Sequence, residues 1–281
     1  MMSDRFGGAS AAGYDRGFGS IAGQFIPGLL RAARVSPNHQ VLDVATGTGV
    51  AAEAAVEAVG PSSTVVATDL SPAMLERARE RLSQMSNVSF AVEDGQSLTL
   101  SDEQFDAVLC ATGLMLFPDP ARGLLEFSRV LRMGGWAAVS VPTMPERSFH
   151  TRVDVIIGRH APERAAIGAR YFSLGKAGLL RSLFTAAGFR DVETFTEARR
   201  YPFSSFAAYF KSIEDGQGPT GQAYVTLPTA IRRLVREDVR RQLEGNAVTD
   251  GPVEVEVELL FGCGRRQGTF LGNSLLATGH F

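Results

Sequence analysis

The stretch Asp43-Val44-Ala45-Thr46-Gly47-Thr48-Gly49 closes a short apolar run with an acid and a glycine-rich turn, and twenty residues after Gly49 stands Asp69. Glycines, which lack a Cβ, let a ligand approach the backbone, and a helix starting after them offers unpaired N–H groups. A carboxylate at the end of the next strand can accept hydrogen bonds from both hydroxyls of a ribose. The pair implies an adenosine-type ligand. It does not separate two chemistries. Gly47-Thr48-Gly49-Val50-Ala51-Ala52 also satisfies the loose dinucleotide fingerprint G-x-G-x-x-G/A with its acid at the expected distance, which leaves a nicotinamide-dependent oxidoreductase open. A tight turn without a ligand is the plain structural alternative.

The elements that must carry these residues follow from the hydropathy pattern. From residue 40, short apolar runs alternate with helical stretches, the rhythm of βαβ units and a mainly parallel sheet. The runs QVLDVA, STVVATDL, NVSFAVED, FDAVLCATG and WAAVSVP give five strands over roughly 40–142. Ser71-Pro72 and Asp119-Pro120 pair a capping side chain with proline in the first helical turn, so helices start there. Before the first strand, Ile21, Phe25, Leu29 and Ala33 recur every four residues, and one helix is expected over 17–34. Further on, the pattern predicts a helix over 151–160, a second helix ending at Gly188 and a sixth strand in DVETFTEARRYPF. Residues 204–245 read as helical, and VEVEVELLFGCGRR reads as the last strand. The fold expected is α/β, with a Rossmann-like, seven-stranded, mainly parallel sheet and helices on both faces. The domain is single over 1–267: an N-terminal helical cap (1–36), a core (37–200), a helical lid between the sixth and seventh strands (201–250) and the last strand (251–267), followed by a tail (268–281).

Bulk properties narrow the function classes. The hydrophobic share of 44 % and charged share of 21 % are those of an ordinary folded chain. A formal net charge of −2 gives no field that would attract nucleic-acid phosphates. No apolar run approaches the roughly 18 residues of a membrane span, and the start MMSDRFGGAS lacks a basic stretch with a greasy core. A cytoplasmic protein is expected. Cys110 and Cys263 have no CxxC or Cys/His spacing around them, and the histidines at 39, 150, 160 and 280 form no ligand pattern, so no metal site is expected.

The wider constellation resembles class I S-adenosylmethionine-dependent methyltransferases, within them the group of ubiquinone and menaquinone biosynthesis methyltransferases, over roughly residues 14–142 and weakly beyond. VLDVATGTG resembles that family's first motif, whose acid ahead of the glycines a dehydrogenase normally lacks. ATDLSPAMLERA resembles its second, Glu93-Asp94-Gly95 its third, and FDAVLCATGLMLFPDPARGLLEFSRVLRMGGWAAVSVP its fourth and fifth strands with the helix between. The resemblance implies S-adenosyl-L-methionine as cofactor and S-adenosyl-L-homocysteine as product. It implies that Asp43 and the turn Ala45, Thr46, Gly47 and Gly49 hold the methionine part, with Tyr14 closing over it, and that Asp69 holds the ribose ahead of Met74. It further implies that Leu70 and Gln96 flank the adenine, that Asp94 with Gly95 meets its exocyclic nitrogen, and that the backbone at Ala111 faces the sulfonium. Tyr14 as a packing aromatic and Asp94 as a loop cap are the plain alternatives.

A sulfonium methyl is already electrophilic, so the protein mainly aligns an acceptor and sheds water. For a hydroxyl or an acidic carbon a general base helps, and His150, after the fifth strand, is the candidate; an exposed loop histidine is its alternative. Met115 and Phe117 beyond the fourth strand and Tyr209 in the lid are the candidate acceptor contacts, against a reading in which they only pack. The expected reaction is methyl transfer to oxygen, carbon or nitrogen of a small molecule of apolar or aromatic kind, by a monomer or homodimer with neither nucleic acid nor membrane span. The alternatives are a protein of this fold that binds the cofactor without methylating, as a cyclase or binding module, and the nicotinamide-dependent oxidoreductase.

Overall fold

The computed structural model describes residues 20–244 and 251–267. Short helices α1 (Ser20–Gly23) and α2 (Ile26–Ala32) precede the alternating core: β1 (Val41–Val44), α3 (Val50–Val59), β2 (Val65–Asp69), α4 (Pro72–Arg81), β3 (Val88–Val92), β4 (Phe105–Ala111), α5 (Pro120–Val130) and β5 (Leu131–Pro142). Then come α6 (Thr151–His160), α7 (Ala165–Tyr171), α8 (Ala177–Ala186), β6 (Phe189–Phe203), three helices α9 (Phe206–Glu214), α10 (Gly218–Val225) and α11 (Thr229–Glu244), and β7 (Val253–Arg266).

The seven strands form one sheet in the order β3-β2-β1-β4-β5-β7-β6. The first five run parallel, and β7 lies antiparallel between β5 and β6. The expected Rossmann-like sheet is therefore the observed one. Side chains alternate across it. Val41 joins the apolar cluster built with α2, α3, α6 and the α9–α11 insertion, whereas Leu42 and Val44 join the opposite cluster with α5, α7 and α8. Each central strand is thus covered on both faces, which is why its sequence is a nearly unbroken apolar run.

Both expected caps form. Ser71 Oγ accepts from the Met74 N–H, and Asp119 accepts from the Ala121 and Arg122 N–H groups. The helix expected over 17–34 is instead two pieces separated at Gln24–Phe25. Pro27 has no N–H to continue a helix from upstream and is suited to a first turn, so it starts α2 afresh. The sixth strand ends at Phe203, where the run DVETFTEARRYPF ends, paired there with Val253. The cysteines at 110 and 263 are free and buried, and among the described residues no helix is long and apolar enough to cross a membrane. Tyr14, the lid end 245–250 and the tail 268–281 lie outside the described residues.

Candidate functional site

A cleft opens at the carboxyl ends of the parallel strands, the place where open α/β sheets bind ligands. It runs from the end of β3, past β2 and β1, to the end of β4. Its wall brings together Ala45, Gly47, Asp69, Leu70, Met74, Asp94, Gly95, Gln96 and Ala111, nine of the thirteen expected cofactor residues, along with Phe117.

At the end of β1 the Asp43 carboxylate is fully buried, one residue behind the wall. Thr46 Oγ1 donates to its Oδ2 at 2.6 Å, while Oδ1 is buried without a hydrogen-bond partner. Burial pushes its pKa up to about 7, helped by the charge of Asp69 and opposed by the Thr46 hydrogen bond. The turn then needs left-handed backbone at Ala45 (φ +56°), Gly47 (φ +58°) and Gly49 (φ +86°). It delivers the Gly47 N–H to Asp69 Oδ2 at 2.9 Å, and Ser71 N–H donates to Oδ1 at 2.8 Å. Burial raises the Asp69 pKa, and these backbone donors oppose the rise. The second carboxylate is therefore held in one orientation across the mouth of the turn.

The two acids after β3 divide their work. Glu93 is spent on the Thr99 N–H and hydroxyl. Asp94 stays on the wall, with Oδ1 accepting from the backbone and side-chain N–H groups of Gln96 at 2.9 and 3.2 Å. It caps its own loop, as the plain alternative had it, and still faces the cleft. Gln96 in turn accepts from the Asp119 N–H through Oε1, so its amide is engaged on both sides. Two apolar walls remain here. Leu70 is 54 % exposed, and the Phe117 ring lies so close to Gly95 that any Cβ there would collide with it; at Gly123 a Cβ would come within 2.6 Å of the same ring. Phe127 holds Phe117 edge to face. Phe117 thus stands beside the Asp94 loop.

Among the expected cofactor residues Asp43, Thr46 and Gly49 stand behind this wall rather than on it, and of the expected catalytic and acceptor residues three are not brought to it. His150 is buried: its ring stacks on Phe149 at 4.1 Å, and Nε2 is 3.0 Å from Ser212 Oγ of α9. Burial takes its pKa down to about 3. Neither the expected base nor its exposed-loop alternative describes it, because α9 covers the start of α6. Tyr209 is also buried, its hydroxyl donating to the Phe149 carbonyl at 2.8 Å, and Met115 packs into the α5 side of the core. The wall positions that the pattern of residues missed include Thr112 and Gly113, at the end of β4. Gly113 was legible in principle as a glycine beside a strand end, since a Cβ there would come within 2.7 Å of the Ala45 Cβ. Thr112 has no local signal.

Comparison with known proteins follows the same line. The family described as "Methyltransferase domain" matches residues 41–135, the stretch that carries β1 through the start of β5. The demethylmenaquinone methyltransferase of Staphylococcus carnosus is 32 % identical over 177 residues, covering 59 % of this chain and 73 % of that protein. A Mycobacterium tuberculosis protein whose name assigns no function is 30 % identical over 244 residues, covering 83 % of this chain and 84 % of that one. Among solved structures, YcgJ of Bacillus subtilis shares the fold at a TM-score of 0.61 and 16 % identity, over 87 % of this chain and 99 % of that chain. With an acid-and-glycine turn at β1, an acid at β2 and a relative of this closeness, the chain belongs to the class I S-adenosylmethionine-dependent methyltransferases, and S-adenosylmethionine is its cofactor.

Proposed function

We propose that the chain methylates a small ring acceptor bearing a hydroxyl, of the hydroquinone type. The observation that carries this reading is the 32 % identity to a demethylmenaquinone methyltransferase across 73 % of that protein. No charged side chain lines the β4 end of the cleft among the described residues, which suits a neutral acceptor.

The residues present fit the cofactor. The partnerless Oδ1 of Asp43 is a buried anionic acceptor suited to the ammonium of the methionine part, behind the Ala45–Gly49 turn. In this reading Asp69 holds the ribose hydroxyls and Asp94 an exocyclic amine. Leu70 and Phe117 form a slot for a flat base, so Phe117 serves the cofactor rather than the acceptor in this reading. When bound, S-adenosylmethionine supplies a methyl group on a sulfonium, an electrophile that needs no further activation. The protein's part is to orient the acceptor at the β4 end and to exclude water. His150 takes no part in proton transfer in this account, since its imidazole is engaged with Ser212 in the lid core.

Calorimetric titration with S-adenosylmethionine, S-adenosylhomocysteine and NADH, followed by turnover of a reduced demethylmenaquinone with a short prenyl chain, tests the reading. Binding of the first two but not NADH, at least tenfold weaker in Asp69→Ala, with methyl transfer to the quinol, is the expected result. Cofactor binding without methylation of the quinol or any other acceptor would favour the non-methylating alternative.

A further inference from the structure

Thr112 stands in a conformation that a threonine avoids. Its φ is +49°, the left-handed region where a β-branched residue is a strained outlier. Its backbone explains the position but not the side chain. Beyond the last β4–β5 pair, Ala111 with Ser140, the Thr112 N–H reaches back to the Ser140 carbonyl at 3.0 Å and to Ser140 Oγ at 3.3 Å, holding the turn against β5. Glycine would make the same bond without strain, and the chain does use glycine at the next residue.

The side chain has no evident folding role. Thr112 is half-buried on the cleft wall, and its hydroxyl has no hydrogen-bond partner among the described residues. The other polar side chains of the wall are engaged: Asp69 by Gly47 and Ser71, Ser71 by Met74, Glu93 by Thr99, and Asp94 and Gln96 by each other and Asp119. The strand order β3-β2-β1-β4 puts Thr112 at the far end from the Asp94 loop, two strand spacings from Asp69, or about 10 Å. That is the end where the transferred methyl and its acceptor must meet if Asp69 holds the ribose.

We propose that Thr112 is the acceptor-positioning residue: its strained turn presents the hydroxyl to the acceptor oxygen that neighbours the reacting atom. The inference rests on the ring-hydroxyl reading above and narrows it to acceptors with an oxygen next to the methylated position. A threonine hydroxyl is too weak a base to take the proton; it orients the ring by accepting from a hydroxyl or donating to its anion.

The test compares wild type with Thr112→Val, Thr112→Ser and Thr112→Gly, using the short-chain reduced demethylmenaquinone as ring probe and sarcosine as amine probe, each variant also titrated with S-adenosylhomocysteine. Removing one hydrogen bond to the acceptor is expected to lower kcat/KM for the ring probe about tenfold in Thr112→Val. Thr112→Ser should stay within about threefold of wild type, and S-adenosylhomocysteine affinity should be unchanged throughout. Thr112→Gly should lose activity like the valine variant while unfolding no lower than wild type, because it relieves the strain. Equal turnover in wild type and Thr112→Val, or a loss matched by weaker S-adenosylhomocysteine binding, overturns the inference and leaves the ring reading standing. A wild type that methylates only sarcosine overturns the ring reading; Thr112 then keeps its role only if the valine variant loses that activity and serine restores it. A wild type inactive toward both probes counts against both.

Discussion

At the scale of single residues, Asp43 is the group whose protonation state decides most. Its carboxyl titrates near 7 because it is buried, with one oxygen on Thr46 and the other without a partner. If the cofactor's ammonium is that missing partner, binding favours the ionised form and releases a proton wherever the free protein holds one. Cofactor affinity is therefore expected to rise as pH increases toward 7, by up to about tenfold per pH unit, and then to level off. Titrations with S-adenosylmethionine in buffers of different ionisation enthalpy should show the proton release. Asp43→Asn should bind more weakly and lose both the release and the slope; a variant that keeps the slope would remove Asp43 from this role. The acid and the glycines were legible in sequence because the turn is made by seven consecutive residues, Asp43 to Gly49. The allocation of work between Glu93 and Asp94 was legible only in part, since it depends on Thr99 and on the α5 cap that reaches Gln96.

At the scale of elements, the start of α5 joins two parts of the cleft. Asp119 accepts from the first two free N–H groups of the helix, while its own N–H donates to Gln96 Oε1 and Arg122 Nε donates to the Gln96 carbonyl at 2.8 Å. The loop carrying Asp94 is thus tied to the segment that carries Phe117. Asp119→Ala is expected to lower unfolding stability by about 1 kcal/mol, the usual cost of a lost cap. It should also weaken S-adenosylhomocysteine binding, because the uncapped helix start that holds the residue-119 N–H and Arg122 against Gln96 frays. Denaturant unfolding and calorimetry would check the two effects, and a change in stability alone would confine Asp119 to its helix. Such caps were readable because a capping side chain next to proline is a local signal. The division of the N-terminal helix at Pro27 was overridden by the four-residue stripe around it, and α7, which lacks a cap bond or a long stripe, gave no signal.

At the scale of the whole molecule, two buried titratable groups set opposing responses to pH. Asp43 in the folded chain holds its proton between its ordinary value of 3.8 and about 7, so folding stability falls as pH rises through that window. His150 in the folded chain stays neutral between about 3 and its ordinary 6.5, so folding stability falls as pH drops through that window. Each slope approaches roughly 1 kcal/mol per pH unit, and where the windows overlap they offset one another. Between pH 4.5 and 6, His150→Gln is expected to lose stability with rising pH relative to wild type, and Asp43→Asn to gain it. Thermal unfolding of the three proteins at those pH values would show it, and parallel curves would mean that neither group titrates as its burial implies. His150 marks the boundary between what sequence determines and what folding decides. The alternating runs, the caps, the β1 turn and the acids at strand ends are local patterns of the chain, and they determined the sheet, its carboxyl-end cleft and the adenosine-type ligand. The tertiary structure decided that α9, some sixty residues downstream, would bury His150 and Tyr209 rather than leave them at the cleft. It also decided that Phe117 would stand beside Gly95 and that Thr112 would turn outward against Ser140. These outcomes rest on contacts between segments far apart in the chain, and no periodicity along one segment records what will pack against it.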